Sequence, residues 1–219
     1  MSGALAGRRV LVSAGPTYED IDPVRFLGNR SSGKMGFAIA AAAQAAGAEV
    51  QLVAGPVQLP TPPGVARTNV RSAAQMHAAV LQALPCDAYV GAAAVADFTP
   101  RTVAREKLKK APGQDGLVLE LVRTADILAA VAAHPQRPRL VVGFAAETHD
   151  VAAYARAKLA RKGVDLVCAN RVGPGAQGFE SDDNALLVLD RAGGAQALGP
   201  APKAVLAAQL VRLFAERLA

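Results

Sequence analysis

The chain has 219 residues, of which 52% are apolar and 4% aromatic with no Trp, and its formal net charge at pH 7 is +6. One domain is typical of this length, and a core of Ala, Val and Leu favours a close-packed α/β protein over an aromatic-rich β-sandwich or a base-stacking nucleic-acid binder. The sequence has no apolar run of about 18 residues, no apolar N-terminal signal and too few cysteines for a disulfide framework, so we expect a cytoplasmic protein without a membrane partner, whose positive charge favours anionic ligands.

The first half of the chain alternates short apolar runs with helical segments. The runs are bounded by glycine, proline or polar residues, which is typical of strands buried in a parallel sheet. The predicted strands are 10–12, 50–53, 65–70 and 89–94. Helices are predicted from Ser32 to Ala48, with Ser31 or Ser32 as the N-cap, and from Ser72 to Leu84. The segments 17–30 and 59–64 are predicted as loops.

The second half begins with a polar, lysine-rich stretch at 98–116, which we interpret as an excursion from the core. The alternation then resumes. Strands are predicted at 118–122, 140–144, 165–168 and 185–189, and helices at 126–133, 151–162 and 202–218. The whole pattern predicts a single domain at 1–219 with a Rossmann-like, mostly parallel, doubly wound sheet and helices on both faces.

Two segments of the first half could bind a phosphate group. Residues 13–17, Ser-Ala-Gly-Pro-Thr, follow the first strand but lack the second and third glycines that a dinucleotide fold needs. Residues 28–35 match the GxxxxGK pattern of a P-loop, but Met35 stands where Ser or Thr would hold Mg²⁺. Because this segment opens a helix, whose N-terminal N–H groups attract anions, it is a candidate phosphate or carboxylate site. The alternative is a well-capped helix start.

Further candidates lie at the ends of later strands. Asp97 follows a run of small residues and could bind a sugar hydroxyl, a base amine or a metal-bound water, or else form a cap or salt bridge. The lysines of 107–110 suit a triphosphate. Lys158 and Lys162 lie four apart on one helical face, where like charges repel unless an anion lies between them. Phe144 could stack on a base or belong to the core. The residues alone therefore indicate an α/β protein that binds a phosphate-bearing ligand.

Seven motifs occur together along the chain. They are SAGPT at 13–17, DPVR at 22–25, NRSSGKMG at 29–36, AAVADF at 93–98, KLKK at 107–110, GFAAET at 143–148 and AN at 169–170. In this combination, residues 8–217 resemble the bacterial phosphopantothenoylcysteine synthetases, which commonly form the C-terminal half of a bifunctional coenzyme A biosynthesis protein. The resemblance implies a ligase that joins 4′-phosphopantothenate and L-cysteine through an acyl-cytidylate, with CTP as co-substrate and Mg²⁺ as cofactor.

The resemblance also implies an assembly. Family members are typically homodimers, and the excursion at 98–116 is a candidate flap over the triphosphate or a subunit contact. A flavin-dependent decarboxylase domain is expected upstream in the native chain, and residues 1–4 look like a trimmed start.

Roles for individual residues follow from the same resemblance. Asn29 matches an active-site Asn that holds the acyl-cytidylate carbonyl, and Arg25 matches a basic residue that contacts phosphopantothenate. Lys107 is implied both in catalysis and in nucleotide binding. The other implied nucleotide-site residues are Gly15, Ala93, Ala94, Asp97, Ala125, Asp126, Ile127, Leu128, Phe144, Lys158 and Lys162. The metal ligands stay open.

Two other classes of function compete with this interpretation. One is an NAD(P)-dependent reductase with an atypical glycine loop. The other is a non-enzymatic binder of anions or nucleic acid, which the net charge and the lysine clusters suggest and which predicts a strongly salt-dependent affinity. The scarcity of aromatic residues argues against stacking on single strands, and we expect no nucleic-acid partner.

Overall fold

The fold is described from a computed structural model and covers residues 3–110, 113, 115–173 and 181–219. The strands are β1 (Arg9–Ala14), β2 (Tyr18–Asp20), β3 (Phe26–Gly28), β4 (Glu49–Ala54), β5 (Ala66–Asn69), β6 (Ala88–Gly91), β7 (Phe98–Pro100), β8 (Leu121–Arg123), β9 (Leu140–Glu147), β10 (Leu166–Arg171), β11 (Asp183–Asp190) and β12 (Ala195–Pro202). The helices are α1 (Lys34–Ala45), α2 (Ala73–Gln82), α3 (Ile127–Ala132), α4 (Val151–Lys162) and α5 (Lys203–Leu218). None of these helices, in the part of the chain that the structure describes, combines the length and apolar character of a membrane span.

One large sheet organises these elements, with the strand order β12-β11-β10-β9-β6-β1-β4-β5. Strands β5, β4, β1, β6, β9 and β10 run parallel, and β11 and β12 add an antiparallel edge. Because side chains alternate along a strand, Val10 and Val12 of β1 face one apolar layer and Leu11 faces the other. Helices α1 and α5 cover the first layer and α2, α3 and α4 cover the second. The predicted doubly wound, mostly parallel α/β fold is confirmed.

The structure differs from the sequence prediction in three segments of the chain. The segment 17–30, predicted as a loop, contains the antiparallel hairpin of β2 and β3. The strand predicted at 118–122 is displaced to β8, which pairs with β7 outside the main sheet, while Val118 is 94% exposed. Strand β12 was not predicted, because glycines and prolines interrupt its sequence. It is an edge strand, where proline is tolerated.

The start of α1 also differs from the prediction. Its N-cap is Gly33, in the left-handed region at φ 75°, and neither Ser31 nor Ser32 caps the helix. Ser31 Oγ instead accepts a hydrogen bond from the Gly33 amide at 3.3 Å. A Cβ atom on Gly33 would lie 3.1 Å from the side chain of Val57. The chain therefore turns on glycine in a confined space before the helix begins.

The first turn of α1 lies against the ends of two central strands. A Cβ atom at Gly36 would lie 2.5 Å from Cβ of Ala14 on β1 and 3.4 Å from Cβ of Ala92, which follows β6. Contacts as short as 2.5 Å are not tolerated, so glycine at this position sets the distance between helix and sheet. The open edge beyond these strand ends is where a doubly wound sheet binds its ligands.

We predict that Gly36→Ala lowers the free energy of unfolding by about 1–3 kcal/mol, although alanine is the better helix former. The added methyl group has to displace α1 from β1. Urea denaturation measures the change. Gly116→Ala is the control, because a Cβ atom there meets nothing within 4 Å. Equal stability of the two variants would contradict the close approach.

Candidate functional site

A cavity of about 720 Å³ lies beyond the carboxyl ends of β1, β6 and β9. Its wall includes the start of α1, the segment after β6, the segment that leads into α3, and side chains from α4, β10, β11 and α5. The lining residues that the structure describes are Ser13, Asn29, 31–36, Tyr89, 91–95, Asp97, Phe98, 123–128, Phe144, Ala146, Lys158, Lys162, Asn170, Asn184 and Lys203. The cavity is therefore shared between both halves of the sheet.

Asn29 reaches the wall because the hairpin of β2 and β3 ends directly before it. Its Nδ2 donates a hydrogen bond to the Ala94 carbonyl oxygen at 2.9 Å. The same Ala94 is tied to the loop after β1, since its amide donates to the Gly15 carbonyl oxygen at 2.9 Å. The loops after β1 and β6 and the Asn29 side chain thus form one connected structure at the strand ends.

Threonine side chains hold the segment around Asp97. Thr17 Oγ1 accepts from the Ala96 amide at 2.9 Å, and Thr124 Oγ1 donates to the Ala96 carbonyl oxygen at 2.6 Å. The Thr124 amide also donates to the Asp97 carbonyl oxygen at 3.0 Å. The main chain of Asp97 is therefore fixed from both sides on the cavity wall.

The residues leading into α3 pack closely over the sheet. Asp126 is the N-cap of α3 and accepts from the Ala129 amide at 3.0 Å. Leu128 lies over two glycines of the sheet: a Cβ atom at Gly143 would come within 2.7 Å of its Cδ2, and one at Gly91 within 3.3 Å of its Cδ1. The glycines of β6 and β9 therefore make room for this part of the wall.

Lys158 and Lys162 both line the cavity, but each also has a partner in the protein. Lys158 Nζ donates to the Phe144 carbonyl oxygen at 2.6 Å, and Lys162 is paired with Asp126. Burial lowers the pKa of Lys158, while the charges of Glu147 and Asp97 oppose that shift. Each of the two lysines thus has an oxygen partner of its own in the protein. That an anion lies between Lys158 and Lys162 stays a prediction. The side chain of Phe144 packs against the core and also lines the cavity.

A second cationic region consists of Lys34 and Lys203, the first residues of α1 and α5. Lys203 is only 6% exposed and donates to the Ser181 carbonyl oxygen, and Lys34 Nζ lies 2.6 Å from Asp182 Oδ1. Burial is the main cause that lowers the pKa of Lys203, and the Lys34 charge adds to it. Sequence reasoning missed Lys203 as a site residue. A signal was available, because Lys203 occupies the apolar stripe that continues with Leu206 and Leu210.

Most of the residues predicted for the site share this wall. It includes Asn29, Ala93, Ala94, Asp97, Ala125, Asp126, Ile127, Leu128, Phe144, Lys158 and Lys162. Gly15, Arg25 and Lys107 lie outside the described lining. Gly15 lies behind the start of α1, since its Cα would be 3.4 Å from a Cβ atom on Gly33. Lys107 is exposed, and Arg25 is bonded to Asp22. The roles of Arg25 and Lys107 in the reaction stay predictions.

The charges on the wall favour a polyanionic ligand. The cationic side chains are Lys34, Arg123, Lys158, Lys162 and Lys203, against the carboxylates of Asp97 and Asp126 among the lining residues that the structure describes. Within the described ranges, no group of three or more His, Cys, Asp or Glu could hold a metal ion by itself. A metal ion at this site would need oxygen ligands from the bound anion.

Comparison with known proteins gives consistent matches. The family model for the DNA/pantothenate metabolism flavoprotein C-terminal domain matches residues 5–218. The coenzyme A biosynthesis bifunctional protein CoaBC of Vibrio cholerae is 49% identical over 215 residues, covering 98% of this chain and 54% of that protein. CoaBC of Escherichia coli K12 is 54% identical over 179 residues, covering 81% and 44%. The chain thus spans about half the length of the curated relatives it matches.

A solved structure matches from end to end. The crystal structure of the C-terminal domain of a coenzyme A biosynthesis bifunctional protein CoaBC is 38% identical, with a TM-score of 0.84, and the match covers 99% of this chain and 98% of that one. The fold therefore occurs in the C-terminal domain of such a bifunctional protein.

We predict that inorganic tripolyphosphate raises the melting temperature of the protein, by about 2–4 °C for each kcal/mol of binding. Lys158→Met should abolish most of this rise, because Lys158 lines the cavity. Arg161→Met removes the same charge from the same helix, but at an exposed position outside the described lining, and should keep the rise. Equal losses in both variants would mean that the anion binds through diffuse charge only.

Proposed function

The chain belongs to the family of the DNA/pantothenate metabolism flavoprotein C-terminal domain, and we propose that it is a CTP-dependent phosphopantothenate–cysteine ligase of coenzyme A biosynthesis. The observation that carries the proposal is the cavity, which brings the Asn29 amide and a set of lysines onto one wall. A ligase that activates a carboxylate with a nucleotide has to hold two anionic substrates side by side. The Lys158–Lys162 region and the Lys34–Lys203 region could each bind one of them.

The proposed reaction has two steps. A carboxylate oxygen of 4′-phosphopantothenate attacks the α-phosphorus of CTP, and the bond from that phosphorus to the bridging oxygen of the β-phosphate breaks, which releases pyrophosphate. The amine of L-cysteine then attacks the acyl carbon of the acyl-cytidylate. The new C–N bond forms, the bond from the acyl carbon to CMP breaks, and the nitrogen loses a proton. Activation is needed because a free carboxylate has no good leaving group.

The wall residues fit these two steps. Lys158 and Lys162 would neutralise the triphosphate. The small side chains of Ala93 and Ala94 let the ligand approach the strand end closely. The Nδ2 group of Asn29, which donates to a backbone oxygen here, would turn to the acyl carbonyl and orient it for the amine. A donor that stabilises the negative charge on the acyl oxygen in the transition state contributes to catalysis through electrostatic preorganisation.

Mg²⁺ fits the residues of this site as a companion of the nucleotide. Mg²⁺ in phosphate sites is usually held by one or two carboxylates together with the phosphates and water. Asp97 lies on the wall and could supply such a carboxylate, whereas Asp126 is already paired with Lys162. When bound, the ion would reduce the charge of the triphosphate and so ease attack by an anionic carboxylate.

A homodimer and an upstream decarboxylase domain are further parts of the proposal. Large apolar side chains are exposed on two small antiparallel sheets, β2-β3 and β7-β8, which contact each other through β2 and β7. They include Phe26 on β3, Phe98 on β7 and Leu121 on β8. Such a patch is typical of a protein–protein contact. The bifunctional names of the relatives support a second catalytic domain in the native chain. A cytoplasmic location stays a prediction from the sequence.

The test is a direct assay. The protein is incubated with 4′-phosphopantothenate, CTP and Mg²⁺, and pyrophosphate and CMP are measured with and without L-cysteine. Release of CMP that depends on cysteine supports the ligase. Turnover with ATP but not CTP would contradict the choice of nucleotide. A folded protein that releases pyrophosphate with neither nucleotide would contradict the ligase activity of this chain.

We predict that Asn29→Ala folds normally but loses amide formation by about 10²-fold, the effect expected for one preorganised donor. Asn29→Asp should be equally impaired, because it keeps the size but replaces the donor with an acceptor. Quenched-flow analysis of CMP release measures the step. Asn69→Ala is the control, because Asn69 lies at the end of β5 outside the described lining. Wild-type turnover in Asn29→Ala would remove Asn29 from the mechanism.

A further inference from the structure

The carboxylate of Asp22 is the centre of a dense hydrogen-bond network outside the cavity. Asp22 is 1% exposed although it lies in a loop between β2 and β3. Its Oδ1 accepts from the amides of Val24 and Arg25, both at 2.8 Å. Its Oδ2 accepts from Arg25 Nη2 at 2.5 Å, from Arg25 Nε at 3.0 Å and from the Leu108 amide at 3.1 Å. A loop carboxylate with this many donors has a specific structural task.

The network holds both polar backbone groups of Leu108. The Leu108 amide donates to Asp22, and the Leu108 carbonyl oxygen accepts from Arg25 Nη2 at 2.7 Å. These contacts join positions more than 80 residues apart. A second tie lies nearby, where the Ala104 amide donates to the Ile21 carbonyl oxygen at 3.0 Å. The loop 21–25 is therefore hydrogen-bonded to the segment 104–108 at both of its ends, Ala104 and Leu108.

The segment 104–108 has no helix or strand of its own that would fix its backbone. Residues 103–110 form neither helix nor strand, and Lys107 and Lys109 on either side of the half-buried Leu108 are exposed. The direction of the two lysines depends on the backbone between them. That backbone is set by the Asp22–Arg25 pair, whose charge-assisted hydrogen bonds are stronger than those between neutral groups.

We propose that Asp22 is a positioning residue for the nucleotide step: with Arg25 it clasps the main chain of Leu108 and so aims Lys107 at the bound triphosphate. That Lys107 points at CTP rests on the proposed function. The clasp, by which we mean the hydrogen bonds of Asp22 and Arg25 to the main chain of Leu108, is a property of the fold. Arg25 then serves the site through the backbone that it holds. Its guanidinium is already engaged with Asp22 and Leu108, and the described lining of the cavity does not include it.

The pair Asp20–Arg71 offers a matched control. Asp20 also lies on the hairpin of β2 and β3 and also pairs with an arginine, with Arg71 Nη2 at 2.6 Å from its Oδ1. Within the part of the chain that the structure describes, neither residue of this pair is hydrogen-bonded to the segment 104–110, which the Asp22–Arg25 pair holds. Asp22→Asn and Asp20→Asn therefore remove one charge each from neighbouring ion pairs, but only the first releases Leu108.

In steady-state assays we expect Asp22→Asn to raise the KM for CTP about tenfold, the effect of losing the one charge-assisted hydrogen bond from Lys107 to the triphosphate, while kcat changes less than twofold. Asp20→Asn should leave both constants unchanged. The double variant Asp22→Asn with Lys107→Ala should be no worse than Lys107→Ala alone, because both changes remove the same interaction. A multiplicative loss in the double variant would overturn the action of Asp22 through Lys107.

A second measurement tests the clasp without any activity. Limited trypsin digestion of the folded protein, read by intact mass, should cut between Arg105 and Lys110 at least tenfold faster in Asp22→Asn than in wild type or in Asp20→Asn. If Asp22→Asn does not fold, Arg25→Lys serves instead, since one ammonium group cannot replace the forked contact. Unchanged digestion in a folded variant overturns the clasp. Faster digestion of a protein whose wild type does not use CTP would keep the clasp and reject the proposed function.

Discussion

The cavity depends on the close approach of α1 to the ends of β1 and β6. Side chains at the points of contact are small or absent: a Cβ atom at Gly36 would lie 2.5 Å from Cβ of Ala14 and 3.4 Å from Cβ of Ala92. This packing brings the loop after β1 into hydrogen-bonding contact with the segment after β6. Asn29 and the segment with Asp97 are placed relative to these strand ends, because both are hydrogen-bonded to the loops that follow them.

Burying the charged side chains of Lys158 and Lys203 on the cavity wall costs the folded protein free energy. Burial lowers the pKa of both Lys158 and Lys203, which means that the charged form is less favourable inside than in water. A hydrogen bond to a carbonyl oxygen offsets part of this cost for each lysine. Groups whose pKa is shifted by burial in a cavity are frequent at functional sites, and a phosphate-bearing ligand would add negative charge beside both lysines.

The sequence was informative where structure depends on local patterns. Apolar runs predicted the central strands, and the spacing of Lys158 and Lys162 predicted that both lie on one face of a helix, where they line the same cavity. The sequence was less informative where structure depends on distant partners. Strands β2 and β3 consist of three residues each, which carry little pattern, and β12 contains Gly199 and Pro200 and exists through its pairing with β11. Lys203 differs from these strands, because its place in the apolar stripe of α5 can be read from the sequence although its burial comes from tertiary contacts.

The separation of Arg25 and Lys107 from the cavity wall has a physical explanation. A motif can serve a site either by touching the ligand or by fixing the chain that touches it, and a sequence pattern does not distinguish these two tasks. Around Asp22 the second task is visible, because its buried carboxylate takes donors from Arg25 and Leu108. The Arg25 guanidinium, helped by backbone amides that include that of Leu108, holds the pKa of the Asp22 carboxyl well below its usual range, so the pair stays charged at neutral pH. Asp22 and Arg25 thus bind each other and the main chain of Leu108 and do not line the cavity. In the proposed mechanism they affect the ligand only through the direction of Lys107.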